Sequence, residues 1–372
     1  MRTMHTVHHA DARDLGFLGS HSVNLVVTSP PYPMIEMWDG VFASLDSEVD
    51  ADGRITTPAA GAHDRNGPEA AFAGMHRILD AVWRECFRIL KPGGFLCINI
   101  GDATRTVGEH FRLYTNHARI ISACEDMGFQ SLPPVLWHKP TNAPNKFMGS
   151  GMLPAGAYVT LEHEYVLIFR KGGRRVFSED DRARRQRSAF FWEERNVWFS
   201  DVWDLRGTRQ SLASRDTRER SGAFPFELAF RLICMYSLSG DLVLDPFLGT
   251  GTTTAAALSA GRNSLGVEID SRFDQTIRTT IAAGSQAGAE RQERRVREHL
   301  DFVRLRAESD KPLTHHNEPH GFPVMTRQEQ HLEIRLPGNP RFASDRDGVA
   351  TVEVDHHLWE PTEPIQPSIF ET

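Results

Sequence analysis

Leu242-Val243-Leu244-Asp245-Pro246-Phe247-Leu248-Gly249-Thr250-Gly251-Thr252-Thr253 decides how this chain is built. A short apolar run ends in an acid and a proline. Two glycines follow one residue apart, and a small-residue stretch rich in Thr and Ala continues to Ala260. That order reads as strand, tight turn and helix. The glycines let the backbone pass close to a bound nucleoside, and the helix N-terminus offers free N–H groups beside it. Glu268 closes the next apolar run, where an acidic side chain can hold ribose hydroxyls. The third glycine of G-x-G-x-x-G is missing, which disfavours a dinucleotide.

The same alternation extends through the chain. Residues 22–28 form a short apolar strand stopped by Pro30-Pro31, while 40–74 carry little periodicity and read as an exposed loop. Residues 72–90 repeat apolar positions at helical spacing, Pro92-Gly93-Gly94 makes a turn, and 95–100 supply a strand. Further helices are predicted at 120–127, 226–236, 251–260 and roughly 289–308, and strands at 135–137, 165–169, 241–245 and 264–270. The tail is acidic and contains Pro and His, with 332–336 as its best strand candidate. Strands alternating with helices imply an α/β fold, a mostly parallel twisted sheet flanked by helices.

At 372 residues with 24% charged residues, the composition is that of an ordinary globular protein. No apolar run is long enough to span a membrane, and residues 1–5 lack the core of a secretory signal. Four scattered cysteines (Cys86, Cys97, Cys124, Cys234) suit reduced thiols in a cytoplasmic protein. The adjacent histidine pairs 8–9, 315–316 and 356–357 lack partners at ligand spacing, so no metal is expected. The net charge of −7 is unevenly spread: 170–220 hold 14 Arg/Lys against 9 Asp/Glu, and 290–372 hold 11 against 16. Local positive charge is what grips phosphates.

Val26-Val27-Thr28-Ser29-Pro30-Pro31-Tyr32 is the second informative stretch. The exocyclic amine of cytosine or adenine is a poor nucleophile, because its lone pair is delocalised into the ring. The Ser29 hydroxyl oxygen and the Pro30 carbonyl can accept the amine's hydrogens. Pro31 stiffens the loop, and Tyr32 can stack on an extruded base. A methylase acting at carbon 5 of cytosine needs a nucleophilic cysteine, usually preceded by proline, and no cysteine here follows one.

With these two motifs the chain resembles the amino-methylating, S-adenosylmethionine-dependent DNA methyltransferases, whose motifs are [DNS]-P-P-[YFW] and D-P-F-x-G-x-G-T-T. Catalytic motif first is the order of the beta subgroup. Asp11 with Leu15 and the stretches 88–94, 137–140, 164–171, 202–204 and 224–228 also fit, so the resemblance covers about residues 5–280. It implies a Rossmann-like methyltransferase fold and S-adenosyl-L-methionine as cofactor. Asp11, Asp245, Pro246, Phe247, Gly249, Gly251, Thr252 and Glu268 are the expected cofactor residues, with Asp11 near the adenine and Glu268 on the ribose. Ser29, Pro30, Pro31 and Tyr32 are the expected catalytic residues. Ser at the head of the motif is commoner among enzymes that make N4-methylcytosine.

Four regions are expected: a catalytic half (1–171, with the loop 28–32), a target-recognition region (172–222), a cofactor-binding half (223–285) and a C-terminal extension (286–372). Arg174, Arg175, Arg184, Arg185 and Arg187, together with Lys139, are candidates for contacting double-stranded DNA. Arg182 belongs to the same cluster. Phe190, Phe191, Trp192 and Trp198 can pack or wedge into the duplex. Asn142 and Lys146 are placed near the flipped base, and Trp38 is read as core or as part of the base pocket. The tail can pack on the core, contact DNA or support a homodimer. The expected function is site-specific N4-cytosine methylation within a restriction–modification system. N6-adenine, an RNA base and a catalytically inactive DNA-binding relative are the alternatives.

Overall fold

The computed structural model describes residues 1–45, 48–49, 55–56, 67–107, 110–139, 153–154, 158–207, 224–309, 313–343 and 349–361. Eleven of its strands form one sheet: β1 (Arg2–His9), β2 (Val23–Thr28), β3 (Leu90–Ile100), β4 (Phe129–His138), β5 (His163–Lys171), β6 (Val202–Asp204), β7 (Leu242–Asp245), β8 (Asn263–Glu268), β9 (Arg335–Pro337), β10 (Arg341–Phe342) and β11 (Val349–Leu358). Their spatial order is β6-β4-β5-β3-β2-β7-β8-β1-β11-β9, with β10 also on β11. The five central strands, β3 to β1 in that order, pair in parallel, and antiparallel neighbours flank them. The helices are α1 (Asp39–Leu45), α2 (Pro68–Ile89), α3 (Asn116–Asp126), α4 (Glu179–Arg187), α5 (Trp192–Trp198), α6 (Phe226–Tyr236), α7 (Thr252–Ser259) and α8 (Asp274–Glu308).

Both faces of the sheet are covered, which is why its central strands read as continuous apolar runs. All six residues of β2 are buried. Val23 and Val26 join a core under α2 and α3, while Leu25 and Val27 join one under α6 and α7. β5 divides the same way, with Leu167 and Phe169 on one face and Val166 and Ile168 on the other. α2 starts with Pro68 in its first turn and ends where Leu90 turns extended. Helix therefore begins before residue 72, and α1 makes part of the expected 40–74 loop helical.

β2 and β7 are parallel neighbours, with Leu25 opposite Val243 and Val26 opposite Leu244. From β2 the chain crosses to β3 on one side, and from β7 to β8 on the other. The C-terminal ends of β2 and β7 therefore flank the point where strand order reverses, the usual ligand crevice of an open α/β sheet.

The N-terminus and the tail hold strands that the sequence reading did not predict. β1 turns Thr3, His5 and Val7 inward, and β11 lies antiparallel along it. Thr3 Oγ1 lies 2.9 Å from both His5 Nε2 and His356 Nε2, and His5 Nδ1 is 2.8 Å from Ser264 Oγ. These contacts join three strands through buried polar groups. α8 runs unbroken across residue 285, where an extension was expected to begin. Phe191 of the 172–222 region packs with Val296, Phe322, Val324, Leu332 and Ile334 in a further small core. A buried bidentate ion pair, Arg295 Nε–Glu194 Oε1 at 2.6 Å and Arg295 Nη2–Glu194 Oε2 at 2.8 Å, ties α8 to α5. Among the described residues no helix is long and apolar enough to cross a membrane.

Candidate active site

β2 ends because Pro30 and Pro31 have no N–H to give a neighbouring strand. The loop that follows turns through Met34 at φ +66°, a strained conformation for a non-glycine residue, held by burial of its side chain. On the adjacent strand, Asp245 leads into a turn whose Gly251 takes φ +91° and starts α7. One buried carboxylate fastens the two segments together. Asp245 Oδ1 accepts from Thr28 Oγ1 at 2.6 Å and from the Phe247 N–H at 3.0 Å, and Oδ2 accepts from Thr253 Oγ1 at 2.6 Å. Burial lifts the Asp245 pKa to about 6, and these three donors restrain the rise.

Between the two strand ends lies a cavity of about 580 Å³. Ser29, Pro30, Pro31 and Tyr32 line one part of it. Asp11, Asp245, Pro246, Phe247, Gly249, Thr252 and Glu268 line the other. Of the expected cofactor residues, only Gly251 is off the wall, because it serves the turn behind it. Trp38 lines the cavity and also packs against the main core.

Glu268 stands at the end of β8. Its Oε2 accepts from the Gly249 N–H at 2.8 Å and its Oε1 from the Asp270 N–H at 2.9 Å. Burial pushes its pKa up to about 7, which marks a carboxylate short of donors. Glu268 lines the cavity, and a carboxylate can accept more hydrogen bonds than the two it makes here. Phe247, braced edge-on by Trp83, supplies an apolar wall, and Asp11 pairs at 2.7 Å with Arg13, which lines the same cavity.

At the other part, the Tyr32 hydroxyl donates to Glu164 Oε2 at 2.8 Å, accepts from Asn99 Nδ2 at 2.8 Å, and lies 3.1 Å from Ser29 Oγ. Burial, reinforced by the negative charge of Glu164, pushes the Tyr32 phenol up and keeps its proton on. Lys139 Nζ pairs with Glu164 and lies 4.7 Å above the Trp137 ring. Sequence reading gave Glu164 no role and passed over Asn99. The available signal was polar residues at the mouth-facing ends of otherwise apolar strands β3 and β5.

Of the candidate DNA contacts, the structure brings only Lys139 to the cavity. Arg175 Nη1 and Arg184 Nη2 both bind Asp241, at 2.5 and 2.8 Å, at the N-terminal end of β7 and so at the opposite edge of the sheet. Arg185 lies over the Phe177 ring, and Arg174 and Arg187 are exposed away from the cavity. Phe191 and Trp198 are buried in cores rather than presented to a duplex, because α8 and the tail cover them. Asn142, Lys146 and the stretch 208–222 lie outside the described residues.

Known proteins with this arrangement agree on its class. The sequence profile of the N6/N4 DNA methylase family matches residues 23–278. The chain is 48% identical over 339 residues to the type II methyltransferase M.MthZI of Methanothermobacter thermautotrophicus, covering 91% of this chain and 92% of that one. It is 47% identical over 283 residues to M.MjaI of Methanocaldococcus jannaschii, covering 75% and 91%. Among solved structures, a Thermus thermophilus protein described as a DNA modification methylase and crystallised with S-adenosyl-L-methionine matches with a TM-score of 0.56 at 34% identity, covering 75% of this chain and 95% of that one. PvuII DNA methyltransferase (cytosine-N4-specific) matches with a TM-score of 0.50 at 15% identity, covering 75% and 86%, a likeness of fold alone. With the order of its two motifs, these matches place the chain in the N6/N4 DNA methylase family, as a type II, S-adenosylmethionine-dependent DNA methyltransferase of the beta subgroup.

Proposed function

We propose that this enzyme methylates the N4 amine of a cytosine flipped out of duplex DNA, as the modification partner in a restriction–modification system. The observation that carries the reading is the shared cavity: the Ser29–Tyr32 corner and the Asp245–Glu268 groups are walls of one space. S-adenosyl-L-methionine, when bound, supplies an electrophilic methyl carbon. Glu268 accepts the ribose hydroxyls, Phe247 packs against the nucleoside, and Gly249 leaves room for it. Asp11 faces the adenine end.

The remaining work falls to the loop. The nitrogen that receives a methyl group must lose one proton to water once the new C–N bond has formed, and its lone pair must be drawn out of conjugation first. Ser29 Oγ and the Pro30 carbonyl accept its two N–H bonds and favour a more tetrahedral nitrogen. Tyr32, its hydroxyl tied by three partners, presents a fixed ring for the base to stack on. Extrusion of the base costs a few kcal/mol, recovered through stacking and edge contacts. Lys139, whose ammonium pairs with Glu164 on the same wall, is the DNA-contact candidate that also lines the cavity. The choice of cytosine follows the resemblance, in which serine at the head of the motif is commoner among enzymes that make N4-methylcytosine.

Mass spectrometry of nucleosides from DNA treated with enzyme and cofactor tests it. N4-methylcytosine is expected, and N6-methyladenine would overturn the choice of base. Ser29→Ala should lower kcat by roughly 10²-fold while cofactor affinity holds, the scale of losing one aligned polar group in a transition state.

A further inference from the structure

A single carboxylate at the start of β5 organises the catalytic corner. Glu164 Oε2 accepts from the Tyr32 hydroxyl at 2.8 Å and from Asn99 Nδ2 at 2.7 Å, and its Oε1 accepts from Lys139 Nζ. Asn99 Nδ2 also donates to the Tyr32 oxygen at 2.8 Å, and Ser29 Oγ lies 3.1 Å from that oxygen. Counting donors fixes the direction of every bond. Glu164, paired with the Lys139 ammonium, only accepts. Asn99 must turn its NH₂ toward the carboxylate, since its carbonyl would be repelled there. The one phenolic proton of Tyr32 therefore goes to Glu164, which leaves the Tyr32 oxygen with lone pairs alone. The contact between Ser29 and Tyr32 must then be donated by Ser29. With its proton committed, Ser29 has only lone pairs to offer the cavity.

We propose that Glu164, supported by Asn99 and acting through the Tyr32 hydroxyl, is a positioning residue that makes Ser29 an obligate hydrogen-bond acceptor toward the target amine. The inference rests on the reading of Ser29 as an amine acceptor. It answers a difficulty peculiar to serine at this place. A carboxylate could only accept, whereas a hydroxyl can equally turn its proton toward the amine and oppose the reaction. Glu164 removes that second choice.

The test uses the full-length enzyme, labelled S-adenosyl-L-methionine and genomic DNA from a host lacking this enzyme, with kcat and KM measured separately. In Glu164→Gln the amide can donate as well as accept, so the chain of protons is no longer directed. Its kcat should fall roughly 10- to 100-fold, with cofactor Kd and Tm close to wild type. Glu164→Asp should recover part of that loss, because it still only accepts. Tyr32→Phe should be slow by itself, and the double variant with Glu164→Gln no slower, because the hydroxyl through which Glu164 acts is already gone. Wild-type kcat in Glu164→Gln, or a double variant that multiplies the two single losses, would overturn the inference. If Glu164→Gln also lowers Tm, the same cycle run with Glu164→Asp decides. Nucleoside mass spectrometry reads the methylated base independently: methyladenine would correct the base and leave this inference standing. A wild-type enzyme that labels no DNA would overturn both.

Discussion

Glu268 shows how one side chain couples folding, ligand and pH. Burial raises its pKa from the ordinary 4.5 to about 7. A raised carboxylate contributes stability that is fully present below its unfolded value, near 4.5, and lost as pH climbs through about 7. In the role proposed for Glu268, ribose hydroxyls donate to its ionised form and reverse that preference, so binding below pH 7 would expel a proton. Cofactor affinity should therefore rise with pH and level off above 7, with Kd at pH 6 about tenfold weaker than at pH 8. Glu268→Gln should bind more weakly and lose this slope. Calorimetric titration across that range checks the sign, and an equal slope in both proteins would move the proton to another group. Asp245 is a different case, since its carboxylate is already held by three donors and faces the joint between two strands.

Among the elements, α7 carries the proposed cofactor turn at its N-terminus, and its position is set by how closely α8 approaches. Gly284 and Gly288 form the contact. A Cβ at Gly284 would lie 2.7 Å from the Ala255 Cβ, and one at Gly288 would run into Ser259. The helices can be this close only because those side chains are absent. Gly284→Val should cost about 1–3 kcal/mol by overpacking, measured by urea denaturation. It should also raise the KM for the cofactor, because the displaced helix begins at Thr252. Unchanged stability would mean that the two helices separate freely. The stretch 284–288, Gly-Ser-Gln-Ala-Gly, was open to inspection in the sequence, but a one-turn spacing of small residues does not name the helix it will meet.

At the scale of the whole molecule, the region expected to read DNA and the tail of unknown role share a core. Glu194 lies in one and Arg295, on the part of α8 beyond residue 285, in the other, and both are buried. Removing one partner strands the remaining charge in a low dielectric. Glu194→Ala should destabilise by about 3–5 kcal/mol, and the Glu194→Ala/Arg295→Met pair by less. A thermal or chemical melt of both variants checks the order. The same packing corrects the reading of the arginines. Arg175 and Arg184 gather on Asp241 at the edge away from the cavity, so the positive balance of 170–220 is in part internal neutralisation.

Where a residue's job depends on its neighbours along the chain, the sequence was sufficient. The strand–turn–helix around Asp245, the strand ended by Pro30-Pro31 and the apolar runs of β3, β5 and β8 all follow from backbone sterics and short continuous apolar runs bounded by turn residues. β1 escaped because its inward positions are Thr3 and His5, whose polarity is satisfied only by Ser264 and His356 from distant strands. β11 alternates legibly through Ala350, Val352 and Val354, but the acidic, His-bearing tail around it obscured the pattern. Tertiary structure alone decided which charges face solvent, which arginines are spent on Asp241, and that Glu164, Asn99, Tyr32 and Ser29 meet at one corner. Turn and strand preferences act between near neighbours in sequence, whereas ion pairing and the direction of a hydroxyl proton depend on groups that only the folded sheet brings within 3 Å or so.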